Sequence, residues 1–191
     1  MNGLAITGRK QNIEYDFYET PSWATTKALG AMISDGILHT NDKIYEPCCG
    51  AGAIANVLKE FGFENVKQSD IQTADYISGE KGIDVYDIPD HACDVVFTNP
   101  PYDRMTKDNM LQEFLRIADK KVILLLNIFY LSSSSRKEML EHSHLRHIYI
   151  HSDRVTMYPY GLEKPKNGGM KMYAWYVWDK EYDGKPTLSW I

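Results

Sequence analysis

The chain has 191 residues, 43% hydrophobic and 25% charged, a composition that excludes disordered, collagenous and disulfide-stapled proteins and fits one domain over residues 1–191. Lys and Arg number 21 against 26 Asp and Glu, and the net charge of −5 argues against coating of phosphate backbones by bulk electrostatics. Any contact with nucleic acid must therefore be a local patch.

Short apolar runs alternate with amphipathic stretches along the chain, which is the pattern of strands and helices in an α/β fold. The run Val122–Leu126 is apolar on both faces, so we expect a central strand covered by helices on each side. In chain order, the predicted elements are helix Ser22–Ile33, strand Lys43–Glu46, helix Ala51–Phe61, strand Asn65–Ser69, strand Asp94–Thr98, helix Asn109–Ala118, strand Lys121–Asn127, helix Ser134–Glu141, strand Arg146–His151 and strand Lys171–Trp178.

The end of the chain differs from the rest. Its last predicted strand is rich in aromatic residues and no helix follows it, so we expect it to pair antiparallel with its predecessor and end the sheet in a hairpin. Between these two strands, residues 158–170 are dense in Pro, Gly and Lys, which predicts a long exposed loop. Loops of this length in compact domains are often functional.

The first segment that carries chemistry runs from a strand through a glycine-rich turn into a helix, at residues 44–55. Gly50 and Gly52 can adopt backbone angles that other residues resist, and they would let a ligand approach the amides that open the helix. Asp70 ends the next strand, where a carboxylate can accept both hydroxyls of a ribose. The alternative is a tight strand–helix turn with an unrelated surface aspartate.

The second segment is a buried strand that ends abruptly in Asn99-Pro100-Pro101-Tyr102. The prolines cannot donate ladder hydrogen bonds, and they hold the backbone in an extended turn. The Asn99 side-chain oxygen and the Pro100 carbonyl can accept both N–H bonds of an exocyclic amine while its ring stacks on Tyr102. The alternative is a strand terminus that is merely stiffened by proline.

These motifs together resemble class I S-adenosylmethionine-dependent methyltransferases, specifically those that methylate adenine N6 in DNA. Glu46–Gly52 resembles the cofactor loop, Ser69–Ile71 the ribose-binding acid, Gly82–Val85 the adenine-binding acid and Asn99–Tyr102 the catalytic motif. Asp16–Pro21 resembles the segment that covers the methionine end of the cofactor. The resemblance is strongest to small stand-alone phage or prophage enzymes.

The resemblance implies a Rossmann-like methyltransferase fold with a mostly parallel seven-stranded sheet and a C-terminal antiparallel hairpin strand. Residues 1–40 would form an N-terminal segment with the covering motif and a helix, and residues 41–191 the catalytic core. Asp70 would bind the ribose, Asp84 the adenine amine and Glu46 the methionine amine, while Thr20 closes over the amino-acid end. The implied catalytic residues are Asn99, Pro100, Pro101 and Tyr102, and the implied cofactor-binding residues are Tyr18, Thr20, Pro21, Glu46, Pro47, Cys48, Gly50, Gly52, Asp70, Ile71, Asp84 and Val85.

DNA is the expected partner, and we expect no separate target-recognition domain after residue 158. Specificity would then be relaxed, or it would come from the 158–170 loop and a partner protein. The basic side chains form either phosphate contacts or an ordinary solvated surface. The candidate phosphate contacts are Arg136, Lys137, Arg154, Lys164, Lys166 and Lys171.

Other acceptors and roles stay open at this point. The same motif would suit adenine in RNA, cytosine N4 or a protein glutamine. The chain could also be a subunit that binds the cofactor and needs a partner for activity, although the intact Asn99–Tyr102 motif argues against that.

The cysteines and histidines point to no further chemistry except at one thiol. Three cysteines, two of them adjacent, make no secreted-type disulfide framework, and no apolar run is long enough for a signal peptide or a membrane span. We therefore expect a cytoplasmic protein, in the host cytoplasm if the gene is a phage's. The four histidines of residues 142–151 straddle a helix end, a turn and a strand, so no metal site is expected. Cys48 lies near helix amides that would stabilise a thiolate.

Overall fold

The computed structural model describes residues 18–159 and 171–191. Five α-helices and ten strands lie within these ranges. The helices are α1 (Ser22–Ser34), α2 (Ala53–Glu60), α3 (Tyr102–Lys107), α4 (Met110–Ile117) and α5 (Ser134–His142). The strands are β1 (Tyr18–Glu19), β2 (Ile44–Glu46), β3 (Val66–Asp70), β4 (Glu80–Lys81), β5 (Cys93–Thr98), β6 (Ala118–Asn127), β7 (Leu145–Ile150), β8 (Tyr158–Pro159), β9 (Tyr173–Asp179) and β10 (Thr187–Trp190).

The core of the fold is one mixed sheet of eight strands in the order β10-β7-β9-β6-β5-β2-β3-β4. Strands β2 to β6 pair in parallel, and β9 pairs antiparallel with both β6 and β7. The prediction of an α/β fold with β6 in the middle of the sheet is confirmed. Because the apolar run of β6 has neighbours on both sides, all of its backbone groups can enter ladder hydrogen bonds.

Alternate side chains of β6 enter two separate hydrophobic cores. Ile123 and Leu125 pack on one face of the sheet with apolar residues of α1 and α2. Val122 and Leu124 pack on the other face with apolar residues of α4. This division makes three layers, with helices on both faces, and it explains why the central strand is hydrophobic at every position.

The end of the chain corrects the sequence prediction. Strand β9 does pair antiparallel with β7, as predicted, but it lies between β6 and β7 instead of ending the sheet. The chain continues into β10, which pairs in parallel with β7 at the edge. The sheet therefore has eight strands, not seven. Strand β10 is mostly solvent-exposed, with Trp190 69% exposed, so it lacks the apolar alternation that reveals a half-buried strand.

The strand order creates a crevice at one edge of the sheet. From β2 the chain moves outward to β3, and it then returns to the opposite side of β2 as β5. Ligands in open α/β sheets bind at the carboxyl ends of strands where the order reverses in this way. Strands β1 and β8 form a separate two-stranded pair. Most of the predicted 158–170 loop lies outside the described residues.

Among the described residues, no helix is both long and apolar enough to cross a membrane.

Candidate active site

A cleft lies at the crevice, and segments that are distant in sequence meet around it. Its walls come from the β1 region, the glycine turn after β2, the end of β3, the segment before α3, and α4. The lining residues are Tyr18, Glu19, Thr20, Glu46, Pro47, Cys48, Cys49, Ala51, Ala53, Ile54, Asp70, Ile71, Gln72, Ile83, Val85, Asn99, Pro100, Pro101, Tyr102, Arg104 and Met110.

Most of the residues predicted for the site line this cleft. The exceptions are Pro21, Gly50, Gly52 and Asp84. Pro21 instead caps the start of α1, where its carbonyl accepts a hydrogen bond of 2.9 Å from the Ala24 amide.

The glycines of the turn after β2 have the predicted backbone conformation but do not leave the predicted space for a ligand. Gly50 has φ 49° and Gly52 has φ 84°, both in the left-handed region that favours glycine. A Cβ on Gly52, however, would lie 2.6 Å from Oγ of Ser78, so a protein side chain occupies the space expected for a ligand. The cleft is lined instead by the neighbouring residues Cys49 and Ala51.

Asp70 holds the glycine turn in place. Its Oδ2 accepts a hydrogen bond of 2.9 Å from the Gly50 amide, and its Oδ1 accepts one of 2.9 Å from the Gln72 amide. The side chain is buried, and this burial raises the pKa of the carboxyl despite the two amide donors. Each carboxylate oxygen has a further lone pair, so Asp70 can still accept a ligand hydroxyl.

Glu46 is a buried carboxyl group at the end of β2. It is 1% exposed, and its Oε2 accepts a hydrogen bond of 3.1 Å from the Ala55 amide in the first turn of α2. Burial raises the pKa of Glu46 well above its ordinary range, and the nearby Asp70 carboxyl adds to the shift. Within the described residues, no salt bridge joins Glu46 to a cation.

The structure contradicts the expectation of a stabilised thiolate at Cys48. Burial raises the pKa of this thiol well above its usual range, and the carboxyl groups of Asp70 and Glu46 raise it further. Burial, with the carboxyl groups adding to it, therefore keeps Cys48 a neutral thiol.

The Asn99 side chain is held at both ends. Its Oδ1 accepts a hydrogen bond of 2.7 Å from the Tyr102 hydroxyl, and its Nδ2 donates one of 3.1 Å to Oγ1 of Thr20. Nδ2 also lies 3.5 Å from the Tyr18 carbonyl oxygen. Thr20 was predicted to close over the amino-acid end of a cofactor, and the contact it makes here is with Asn99.

The two prolines divide their roles. Pro101 is extended at φ −65° and ψ 114°, and its carbonyl accepts hydrogen bonds from the Arg104 and Met105 amides at 3.1 and 3.2 Å. It therefore begins helix α3, which the sequence did not predict. No described residue donates a backbone hydrogen bond to the Pro100 carbonyl. Of the two carbonyls, that of Pro100 is available to a ligand in the cleft.

Behind the catalytic motif, the Tyr102 ring packs against an aromatic residue of β9. The centroids of the Tyr102 and Tyr173 rings are 5.9 Å apart, and the ring planes are inclined by 31°. Tyr173 is buried and Tyr102 is half-buried. The Tyr102 ring is thus fixed between the core and the cleft.

Asp84 makes different contacts from those that the resemblance implies. Its carboxylate oxygens lie 3.2 and 3.3 Å from Nη2 of Arg104, and Oδ1 accepts a hydrogen bond of 3.3 Å from the Tyr86 amide. Arg104, which the sequence analysis missed, itself lines the cleft. Contact between Asp84 and an adenine amine therefore remains a prediction.

The sequence analysis also missed an apolar part of the cleft. Ile83 and Met110 line it together with the predicted Ile71 and Val85. The hydrophobic residues on either side of Asp84 were a sequence signal for Ile83. Met110 had none, because it lies on a helix that is distant in sequence.

The histidines of residues 142–151 contact different partners. Nδ1 of His142 bonds to the Glu138 carbonyl oxygen, whereas Nε2 of His151 accepts a hydrogen bond of 3.2 Å from Nε1 of Trp175. His147 lies between Thr187 and Ser189. Within the residues that the structure describes, no group of three or more His, Cys, Asp or Glu side chains could hold a metal ion.

Comparison with known proteins supports the fold but gives no match by sequence. No family model and no curated protein matches the chain. Similar solved structures include a candidate RNA methyltransferase of Pyrococcus horikoshii, with TM-score 0.63, 15% identity, and coverage of 85% of this chain and 86% of that one. A candidate class I S-adenosylmethionine-dependent methyltransferase of Listeria monocytogenes has TM-score 0.57 and 15% identity, over 96% of this chain and 69% of that one.

A third similar structure is the modification subunit of a candidate type I restriction enzyme of Vibrio vulnificus. Its TM-score is 0.58 at 14% identity, over 94% of this chain and 48% of that one. At such identities the similarity shows the fold. The chain therefore has the Rossmann-like methyltransferase fold that was predicted.

Proposed function

We propose that this chain binds S-adenosylmethionine in the cleft and methylates N6 of adenine in DNA. The main support for the proposal is that two features lie around the same crevice. One is the buried acid Glu46, which forms no salt bridge among the described residues, and the other is the Asn99 amide held by Tyr102 and Thr20. The fold and the order of the sequence motifs agree with this assignment.

The donor groups of the cleft fit the cofactor. Glu46 is a buried acid that forms no salt bridge with a described cation, which suits the ammonium group of the methionine part. Asp70 at the end of β3 suits the ribose hydroxyls. The apolar side chains of Ile71, Ile83 and Val85 suit the two faces of an adenine ring. S-adenosylmethionine bound there would supply an electrophilic methyl group, carried on its sulfonium sulfur.

The catalytic motif can orient the acceptor nitrogen. Oδ1 of Asn99 has a second lone pair beside the Tyr102 hydrogen bond, and the Pro100 carbonyl is available. The two oxygens accept the two N–H bonds of an exocyclic amine and stabilise the positive charge that grows on its nitrogen during transfer. The methylated nitrogen then loses a proton to water, so no histidine base is required.

A base inside a duplex must be flipped out to reach this cleft. Flipping costs a few kcal/mol, partly offset by stacking on an aromatic side chain such as Tyr102. The same two acceptors would also fit adenine in RNA, cytosine N4 or a protein glutamine, and adenine in DNA is chosen on the resemblance of the motifs. A subunit that binds the cofactor and needs a partner for activity is the second candidate.

The test is the variant Asn99→Ala, assayed for S-adenosylmethionine binding by calorimetry and for methyl transfer to DNA. Asn99 has no hydrogen bond to Glu46 or Asp70, but its Nδ2 bonds to Thr20, so cofactor affinity should fall by no more than about tenfold while transfer falls by at least about 100-fold. Transfer at the wild-type rate in this variant would refute the mechanism. Cofactor binding without transfer in the wild type would favour the second candidate.

A further inference from the structure

Three large hydrophobic side chains lie exposed next to the catalytic edge of the sheet. Phe129 is 64% exposed, Met172 50% and Leu131 38%. We call these three residues the edge patch. Aromatic and apolar side chains this exposed usually mark a contact surface when they lie together.

The sheet register places the edge patch beside the catalytic motif. Leu124 of β6 pairs with Thr98 of β5, so the last residue of β6, Asn127, extends beyond the end of β5 toward the turn that begins at Asn99. Asn127 in turn pairs with Tyr173, whose ring contacts the ring of Tyr102. Phe129 follows Asn127 by two residues and Met172 precedes Tyr173, which brings both to the same edge.

Phe129 is held on a fixed turn. Its amide donates a hydrogen bond of 2.9 Å to Oδ1 of Asn127, and its carbonyl accepts one of 3.0 Å from the Ser132 amide. The Ile128 amide donates one of 2.9 Å to the Met172 carbonyl, which ties the two sides of the edge patch together. The backbone that carries the exposed Phe129 ring is therefore fixed, and binding through this ring needs little ordering of the chain.

Cations lie next to the edge patch in an otherwise acidic protein. Arg136 is held by a hydrogen bond of 3.0 Å from its Nε to the Tyr130 carbonyl and by packing over the Tyr130 ring. Lys137 follows it near the start of α5, and Lys171 precedes Met172; both lysines are exposed. Helix α5 buries none of its residues, and Nζ of Lys137 lies 3.9 Å from Oε1 of Glu141 in an exposed ion pair, which is weak enough to leave the lysine available to a phosphate.

We infer that the edge patch and these cations form a docking surface for the nucleic-acid strand that carries the target base, with a neighbouring base stacked on the Phe129 ring. The inference rests on the proposed function for its location beside the acceptor site. An exposed aromatic ring flanked by cations matches the chemistry of a nucleotide, which offers a flat apolar base and a phosphate within a few ångströms of each other. A purely apolar protein partner would have no use for the cations.

The decisive experiment measures binding of a fluorescently labelled single-stranded oligodeoxynucleotide with one adenine, by anisotropy in the presence of S-adenosylhomocysteine. Phe129→Ala should weaken binding by about five- to 100-fold, the range for loss of one base–aromatic stack. Phe129→Trp should preserve it. Trp190→Ala is the matched control, because it removes an aromatic side chain that is 69% exposed on edge strand β10, three strands away from β6, and it should change nothing.

Salt dependence tests the cations separately. Lys137→Ala and Lys171→Ala should each lower the slope of log affinity against log salt by about one, while leaving cofactor binding unchanged. The inference is overturned if Phe129→Ala binds the oligonucleotide as tightly as the wild type or if Trp190→Ala is equally weakened. Unchanged salt slopes in both lysine variants would also overturn it, as would concentration-dependent dimers in sedimentation that Phe129→Ala abolishes.

The docking surface and the proposed methyltransferase activity can be rejected independently of each other. Methyl transfer to any acceptor is measured independently, on the same proteins. Oligonucleotide binding that Phe129→Ala abolishes, without methyl transfer in the wild type, would keep the docking surface and reject the enzyme. Methyl transfer to DNA at equal rates and equal KM in wild type and Phe129→Ala would keep the enzyme and reject the docking surface.

Discussion

The Tyr102 hydroxyl donates a hydrogen bond of 2.7 Å to Oδ1 of Asn99, three residues before it. With Nδ2 of Asn99 directed at Thr20, this contact determines which end of the amide is oxygen and where that oxygen points. Under the proposed function, Tyr102 would therefore have two separable roles, since its ring would stack on the acceptor base and its hydroxyl orients Asn99.

Tyr102→Phe separates these roles, because it keeps the ring and removes the hydroxyl. We expect kcat for methyl transfer to fall by about tenfold, the effect of losing one hydrogen bond of about 1.4 kcal/mol, with KM for the acceptor nearly unchanged. Steady-state kinetics measure kcat and KM separately and so test this expectation. Tyr182→Phe is the control, since its hydroxyl bonds to the Lys185 carbonyl in an exposed turn. An equal loss of kcat in both variants would contradict the orienting role.

Asp70→Asn should damage both the fold and the cofactor site. The Asn amide nitrogen cannot accept a hydrogen bond, so either the Gly50 or the Gln72 amide loses its buried acceptor. We expect the free energy of unfolding to fall by about 1–3 kcal/mol, measured with denaturant. Cofactor affinity should fall by at least about tenfold in calorimetry, since one ribose contact is also lost.

Asp75→Asn provides the comparison for Asp70→Asn. Asp75 is fully exposed and 3.7 Å from Lys81, so its substitution should leave both quantities unchanged. Cofactor affinity in Asp70→Asn equal to that of the wild type would refute the ribose role.

Binding of S-adenosylmethionine should release a proton from Glu46. Burial raises the pKa of Glu46 in the free protein, and an ammonium group placed beside it favours the charged form. Affinity should therefore rise with pH up to the raised pKa and level off above it. Calorimetry in phosphate and in Tris gives the number of protons released, because the two buffers differ in ionisation heat.

Glu46→Gln is the control variant for the number of protons released on cofactor binding. The variant has no titratable group at the position, so it should bind the cofactor more weakly and release fewer protons. Equal proton release by wild type and Glu46→Gln would show that Glu46 does not meet the ammonium group.

His151 should make the fold sensitive to acid. Burial lowers the pKa of His151 to about 4, and its Nε2 must stay unprotonated to accept from Trp175. In the unfolded chain the pKa is about 6.5. Unfolding therefore takes up a proton below this value, and stability is lost as pH falls from 6.5 toward 4. Between pH 7 and pH 5 the loss from this residue is about 2 kcal/mol.

The measurement is denaturant unfolding of wild type and His151→Gln at both pH values. Gln offers an oxygen acceptor to Trp175 and does not titrate. The raised pKa of Glu46 gives a slope of the opposite sign, so the difference between the two proteins isolates His151. Parallel pH profiles would contradict the assignment.

The sequence predicted those features of the structure that depend on a few adjacent residues. The apolar run of β6, the glycines with positive φ and the abrupt proline stop after β5 each follow from a few adjacent residues. The parallel order of the strands then brings their carboxyl ends together, and most of the predicted site residues line one cleft.

What the sequence did not reveal depends on contacts between distant residues. Thr20 meets Asn99 across 79 positions, and Arg104 meets Asp84 across 20, without any short-range signal. Ser78 fills the space beside Gly52, which looks from sequence like room for a ligand. Strand β10 is held by its pairing with β7 and buries too little to show a pattern.

The most direct test of the account is the fate of a labelled methyl group. The wild-type protein is incubated with S-adenosylmethionine that carries the label and with unmethylated duplex DNA, single-stranded DNA, structured RNA or protein, and the digests are analysed by mass spectrometry. The account predicts labelled N6-methyladenine in a DNA digest. Tight binding of the cofactor with no label in any acceptor would contradict it.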